Sequence, residues 1–162
     1  MTGDTLIERA RTAAASVTDP ELPPLTIEDL GILRGVTEKD GMIEIAITPT
    51  YSGCPAMREI SDAIVSAVRA AGVDTFRVRQ VLAPAWTTGF LTEAAHRKLR
   101  DMGIAPPEPG QGPDVLFATA VVACPRCDSA NTERISVFGS TACKSLHRCL
   151  DCQEPFEAFK CH

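Results

Sequence analysis

Cys124-Pro-Arg-Cys127 and Cys149-Leu-Asp-Cys152 place four thiols in two CxxC pairs separated by 21 residues. Each pair sits on a tight knuckle that aims two sulfurs at one point, and two knuckles close a tetrahedron around zinc. The intervening length suits a hairpin and a return strand, the size of a zinc ribbon. Cys124, Cys127, Cys149 and Cys152 are therefore the expected ligands of a structural Zn²⁺. Four free thiols would leave too many reactive groups close together in a reducing cell. A thioredoxin-like pair needs a strand before it and a helix after it, and neither CxxC has that setting.

Cys54 is the most suggestive residue outside these pairs. It falls after a strand and just before the first turn of a helix, between Gly53 and Pro55. Unpaired N–H groups and the helix dipole at such a place favour a thiolate and predict a lowered thiol pKa. Two readings stand: a nucleophile or transient metal or cluster ligand, and a small apolar cap buried over the sheet. Asp19, Glu21 and Asp29 bracket a proline-rich loop that could approach Cys54 and assist a transient metal. Carboxylates around proline are equally ordinary turn and cap residues. His96 has no His or Cys at metal spacing and reads as a surface residue. Cys143, Cys161 and His162 exceed what one tetrahedral site needs; packing, an accessory soft-metal site or a partner-dependent thiol pair are open to them, with packing or the partner-dependent role expected. No Ser–His–Asp set and no phosphate-binding glycine loop is visible, so no catalytic residue is assigned.

The elements that must carry these residues follow from periodicity and punctuation. Thr5 and Glu8 fit a capping box ahead of a helix with Leu6, Ala10, Ala13, Ala14 and Val17 at helical spacing, ended by Asp19-Pro20-Glu21. Ile32 to Val36 predicts a strand, Asp40-Gly41 a tight hairpin, and the alternation of Ile43, Ile45 and Ile47 a second strand. Pro55 starts a helix whose apolar stripe is Met57, Ile60, Ile64, Val68 and Ala71, with Gly72 at its end. Phe76 and Val78 mark a third strand, and Thr92 to Met102 a last helix before Gly103. The order α-β-β-α-β-α predicts an α+β fold, a small two-layer sandwich with helices on one face of a mixed three-stranded sheet, followed by a C-terminal zinc ribbon. Ile104 to Pro113 holds four prolines and two glycines in ten residues, too broken for helix or strand. The expected organisation is thus a domain at 1–103, a linker at 104–114 and the ribbon at 115–162.

Composition narrows the function classes. The 162 residues are 44% hydrophobic with net charge −5, enough for one modest core plus a small metal-stapled module. No apolar run approaches a membrane span of about 20 residues, and the first residues lack the basic and apolar regions of an export signal. Seven cysteines without such a signal point to the reducing cytoplasm and to metal instead of disulfides. Residues 104–162 carry 5 Lys+Arg against 7 Asp+Glu, and a Zn²⁺ with four thiolates adds −2. A nucleic-acid ribbon needs a basic face, so nucleic acid is not an expected partner, nor is a membrane.

Two overlapping resemblances sit on these residues. Asp19-Pro20-Glu21, Asp29-Leu30-Gly31 and the Cys54-Pro55 helix start resemble the domain of SufT-type iron–sulfur assembly proteins. That resemblance implies that the cysteine at position 54 handles iron or a nascent cluster. Nearly end to end, the chain resembles the PaaD family. The matching segments are Thr48-Pro-Thr-Tyr-Ser-Gly-Cys-Pro-Ala-Met57, Gly103-Ile-Ala-Pro-Pro107, Cys124-Pro-x-Cys127, Phe138-Gly-Ser-Thr-Ala-Cys-Lys144, Arg148-Cys149-x-x-Cys152, Glu154-Pro-Phe156 and Phe159-Lys-Cys161. Membership would imply an accessory subunit of the multicomponent phenylacetyl-CoA 1,2-epoxidase of aerobic phenylacetate catabolism. Its partners would be the oxygenase and reductase subunits, with a homodimer left open. The chain itself shows no Glu-x-x-His pair of a diiron bundle and no dinucleotide fingerprint. The leading expectation is a maturation subunit without catalytic activity of its own, assisting iron or iron–sulfur cluster assembly in a partner. The alternatives are a thiol-dependent enzyme using Cys54, a structural zinc-ribbon scaffold, and a nucleic-acid-binding ribbon.

Overall fold

Alternating residues Met42-Ile-Glu-Ile-Ala-Ile47 form the middle strand of the first sheet in the computed structural model, which describes residues 3–107 and 121–160. The chain divides into two compact units, Met1–Trp86 and Thr87–His162. In the first, α1 (Gly3–Ala15) is followed by β1 (Leu33–Lys39), β2 (Met42–Ile47), α2 (Ala56–Ala70) and β3 (Phe76–Gln80). β1 and β2 are antiparallel across Asp40-Gly41, whose φ angles of 55° and 76° are what a two-residue hairpin twisted with its strands demands. β3 lies parallel to β2 on its other side, with Val78 opposite Ile45. A parallel neighbour needs a crossover, and α2 supplies it. The sheet is mixed and three-stranded, in the order β1-β2-β3.

α1 packs on β1, β2 and α2, and α2 on β3, so both helices cover one face. Ile43, Ile45 and Ile47 point into that layer and are fully buried or nearly so. Ala56, Met57, Ile60, Ile64 and Val68 meet them as the buried stripe of α2. Gly72, at φ 79°, turns the chain out of that helix. Leu22, Leu25, Ile27, Leu30 and Ile32 bury the loop between α1 and β1 against the same core. That loop is pinned by a bridge between Thr18 and Thr26 and by the Trp86 indole N–H, which donates to the Leu30 carbonyl at 2.8 Å.

Two details of α1 differ from expectation. The helix already runs from Gly3, so Thr5 lies inside it and is not its cap. It stops at Ala15, short of Asp19-Pro20-Glu21, because Ser16 and Val17 close the end with turn hydrogen bonds to Thr12 and Ala14.

The second unit holds α3 (Glu93–Asp101), β4 (Ile104–Ala105), β5 (Thr132–Ser136), β6 (Lys144–Cys149) and β7 (Pro155–Phe159). The Thr92 hydroxyl accepts the Ala95 N–H as the N-cap of α3. The four-stranded sheet has the order β4-β7-β6-β5, antiparallel except for β4 beside β7. The sequence predicts no strand after Gly103, yet Ile104 and Ala105 pair with Glu157 and Ala158. Tertiary pairing outweighs the local signal there until Pro106 and Pro107 remove the N–H groups a ladder needs. α3 packs on β4 and belongs to this unit, whereas its sequence position suggested the first domain. The remaining linker from residue 108 to 114, with Cys161 and His162, lies outside the described residues. Among the described residues, no helix is long and apolar enough to cross a membrane.

Candidate metal centre

The two CxxC knuckles adopt the same backbone course. In each, the first cysteine N–H donates to the carbonyl five residues on: Cys124 to Ser129 at 2.9 Å and Cys149 to Glu154 at 3.0 Å. In each, the residue after the second cysteine turns left-handed, Asp128 at φ 58° and Gln153 at φ 64°. This fold-back brings two sulfurs per knuckle to one side. β5 and β6 then set the knuckles face to face, with Thr132 opposite Cys149 and the Leu150 N–H on the Asn131 carbonyl.

All four sulfurs lie within 4.8 Å of one another. Cys124 and Cys152 are 3.8 Å apart, and Cys127 and Cys149 3.6 Å. A tetrahedron with metal–sulfur bonds of about 2.3 Å has edges of about 3.8 Å, so the donor set fits a tetrahedral soft-metal site. Cys124 and Cys149 are fully buried, in a small cluster with Ala105, Phe156 and Ala158. Cys127 and Cys152 face outward.

The thiols are electrically unequal. Backbone N–H groups of Cys152 and then Asp151 point at the Cys149 sulfur and lower its pKa to about 7 against desolvation. For Cys127 the Ser129 N–H pulls downward, but the adjoining Cys149 thiol and desolvation push it up to about 12. A divalent cation at the centre replaces the shared protons with its own charge. Ser129 and Asn131 both donate to Asp151 and tie the knuckles together outside the cage.

The loop before α2 positions Cys54. Gly53 takes φ 75°, and Pro55 caps α2 without a side-chain bond. The Ala56 N–H, unpaired within the helix, and the Tyr51 hydroxyl both bond the half-buried Cys54 sulfur. The helix-start argument predicts a lowered pKa; the structure reverses it. Burial raises the thiol most, and the charges of Glu21 and then Asp19 raise it further, outweighing the Ala56 and Tyr51 hydrogen bonds. Two of the three predicted carboxylates are thus near enough to act on Cys54. Asp19 also holds its own loop, its Oδ1 accepting from the N–H groups of Glu21 and Leu22. Asp29 does something else: Thr26 N–H donates to its Oδ2 and its own N–H to the Thr26 hydroxyl, a reciprocal cap. Among the described residues, no group of three or more metal donors includes Cys54.

Several residues of the second unit escaped sequence reasoning. His147 stacks on Phe156 at 5.5 Å and shares a 2.8 Å hydrogen bond with Ser145. Burial, and then Arg134, push it down to about 4, so it is a neutral core histidine. Only its alternation with Ser145 and Cys149 along β6 could have signalled that. Cys143, which the sequence does single out, is buried with its sulfur 3.0 Å from the Thr141 hydroxyl. Lys144 is buried against Glu157 at 3.2 Å, and Glu157 also accepts from the Ser140 N–H and hydroxyl. That carboxylate knots the segment 138–144 to β7.

Comparison with known proteins gives independent bearings. Residues 108–160 match the PaaD zinc beta ribbon domain, and residues 7–83 match a family described as iron–sulfur cluster assembly protein. A curated protein of Escherichia coli (strain K12), named as a subunit of 1,2-phenylacetyl-CoA epoxidase, is 47% identical over 147 residues, 91% of this chain and 88% of that protein. A domain of unknown function (DUF59) from Bacillus anthracis superposes with a TM-score of 0.53 at 24% identity, covering 59% of this chain and 92% of that one. The likeness to that domain concerns fold alone.

Proposed function

This chain belongs to the PaaD family of phenylacetyl-CoA epoxidase subunits, and from that premise we propose that it is a maturation subunit of a multicomponent phenylacetyl-CoA 1,2-epoxidase in aerobic phenylacetate catabolism. In this role it helps place iron or an iron–sulfur cluster in a partner and performs no step of the oxygenation. The match of the first unit to iron–sulfur assembly proteins supports this reading. The observation that carries it is the contrast between two sulfur sites. Four thiols converge in the second unit, whereas Cys54 stands with the charges of Glu21 and Asp19 beside it in an incomplete site.

Cys124, Cys127, Cys149 and Cys152 hold Zn²⁺, which folds the ribbon and supplies no reactivity. Cys54 takes the iron or nascent cluster transiently. Glu21 and Asp19 favour an arriving cation and disfavour a standing thiolate, so the thiol keeps its proton until metal displaces it. Asp29 serves this site by holding the loop through Thr26. The ribbon is the docking platform for the oxygenase and reductase subunits, and the protein works in the cytoplasm. The raised Cys54 thiol speaks against the alternative of a cysteine nucleophile, which would need a lowered one.

The test is anaerobic activation of the apo reductase and apo oxygenase by wild type and by Cys54→Ser. Wild type is expected to accelerate recovery of activity and the variant not to. Equal acceleration removes Cys54 from the mechanism. Protein purified without oxygen is expected to carry one tightly held zinc plus variable iron; zinc alone in wild type favours the scaffold alternative.

A further inference from the structure

Ile135, Val137 and Phe138 are 54%, 37% and 60% exposed, on and just beyond the edge strand β5. The β5–β6 register shifts between Arg134 and Ser136, so Ile135 is the extra residue of a bulge and leaves the ladder for solvent. Lys160 lies with Nζ 4.2 Å from the centre of the Phe138 ring and donates to the Val137 carbonyl. Burial, and then the charge of the exposed Arg134 on β5, lower the Lys160 pKa from its ordinary value.

Other cations of the ribbon are each matched by a carboxylate, Arg126 by Glu154, Lys144 by Glu157 and Arg148 by Glu133. Among the described residues no carboxylate pairs with Arg134 or Lys160. Two cations that no carboxylate pairs with among the described residues, beside three exposed apolar side chains, are an unusual arrangement in a segment with 5 Lys+Arg against 7 Asp+Glu. An acidic and apolar protein segment completes it: carboxylates toward Arg134 and Lys160, and an apolar side chain on Phe138 and Ile135. The bulge and the charges of Glu133 and Arg134 guard β5 against strand addition, so contact is through side chains.

We propose that Arg134, Ile135, Val137, Phe138 and Lys160 form the surface through which the ribbon docks an acidic, apolar segment of a partner protein. This rests on the docking role given to the ribbon above and names the residues that perform it. The experiment measures binding of zinc-loaded full-length protein to the purified reductase and oxygenase subunits by calorimetry at several salt concentrations. Leu82→Ser, at an exposed apolar side chain of the first unit, is the control.

Wild type and Leu82→Ser are expected to bind one of those subunits alike, with affinity falling as salt rises. Arg134→Glu and Phe138→Ser, both at exposed positions, should each weaken it about tenfold or more, and Arg134→Glu should flatten the salt dependence. Ile135→Ser gives a second, independent apolar variant. Unchanged affinity in these variants overturns the assignment of this surface while leaving the maturation role intact. A wild-type dimer in ultracentrifugation that Arg134→Glu and Phe138→Ser both dissolve also overturns it, because the occupant is then a second copy. No binding of wild type to either subunit overturns the docking role itself.

Discussion

Stripping the metal should unfold the ribbon and spare the first unit. The cluster behind the cage consists of Ala105, Cys124, Cys149, Phe156 and Ala158, with Val122 packed against it. Phe156 is its one large side chain, and full burial of such a residue is worth about 1.5–3 kcal/mol. Ordering the backbone costs about 1–2 kcal/mol per residue, so a cluster this small cannot hold three strands and two knuckles. A structural Zn²⁺ bound to such a cage would supply about 10–16 kcal/mol. The first unit stands otherwise, with Ile43, Ile45, Ile47, Ile60, Ile64 and Val68 in one apolar layer. Hydrogen exchange read by mass spectrometry, before and after chelation under reducing conditions, separates the two. Peptides covering Thr132–Ser136, Lys144–Cys149 and Pro155–Phe159 are expected to lose protection, while Ile43–Ile47 and Ala56–Ala70 keep it. If the ribbon peptides remain protected in protein shown by elemental analysis to be metal-free, the reasoning is refuted.

Two further outcomes follow from the electrostatics. Cys54 should be alkylated at pH 7 more slowly than free cysteine, and Glu21→Gln should speed it by removing a charge that raises the thiol; an unchanged or slower rate in the variant, followed peptide by peptide, contradicts the placement of Glu21. Glu157→Gln should destabilise the ribbon by about 2–4 kcal/mol at pH 7, since it leaves Lys144 buried without its carboxylate, with some discount for the partial exposure of Glu157. The Glu157 pKa lies below 4.5 although burial raises it, because Lys144 and Ser140 more than offset that. The stabilisation is therefore full above about pH 4.5 and is lost as pH falls through the folded-state value. Thermal melts of wild type and variant should converge in that acid range, and a constant gap would count against the pair.

Much of this protein was legible along the chain because the relevant physics is local. Two CxxC pairs at ribbon spacing describe their own knuckles; Asp40-Gly41 selects its turn by tolerating positive φ; and the stripe from Met57 to Val68 declares which face of α2 is buried. Three things were not local. The sign of the Cys54 shift depends on burial and on Glu21 and Asp19, more than thirty residues away, so the helix-start argument missed it. Ile104 and Ala105 become a strand because β7 offers them an edge, and α3 follows them into the second unit. Lys160, just past β7, meets Phe138 and the Val137 carbonyl just past β5 because both strands lie in one sheet, and no spacing rule could have paired them. Sequence alone determined which groups exist and which short-range turns hold them. Tertiary structure decided their electrical environment, because desolvation and charge act through space and are blind to distance along the chain.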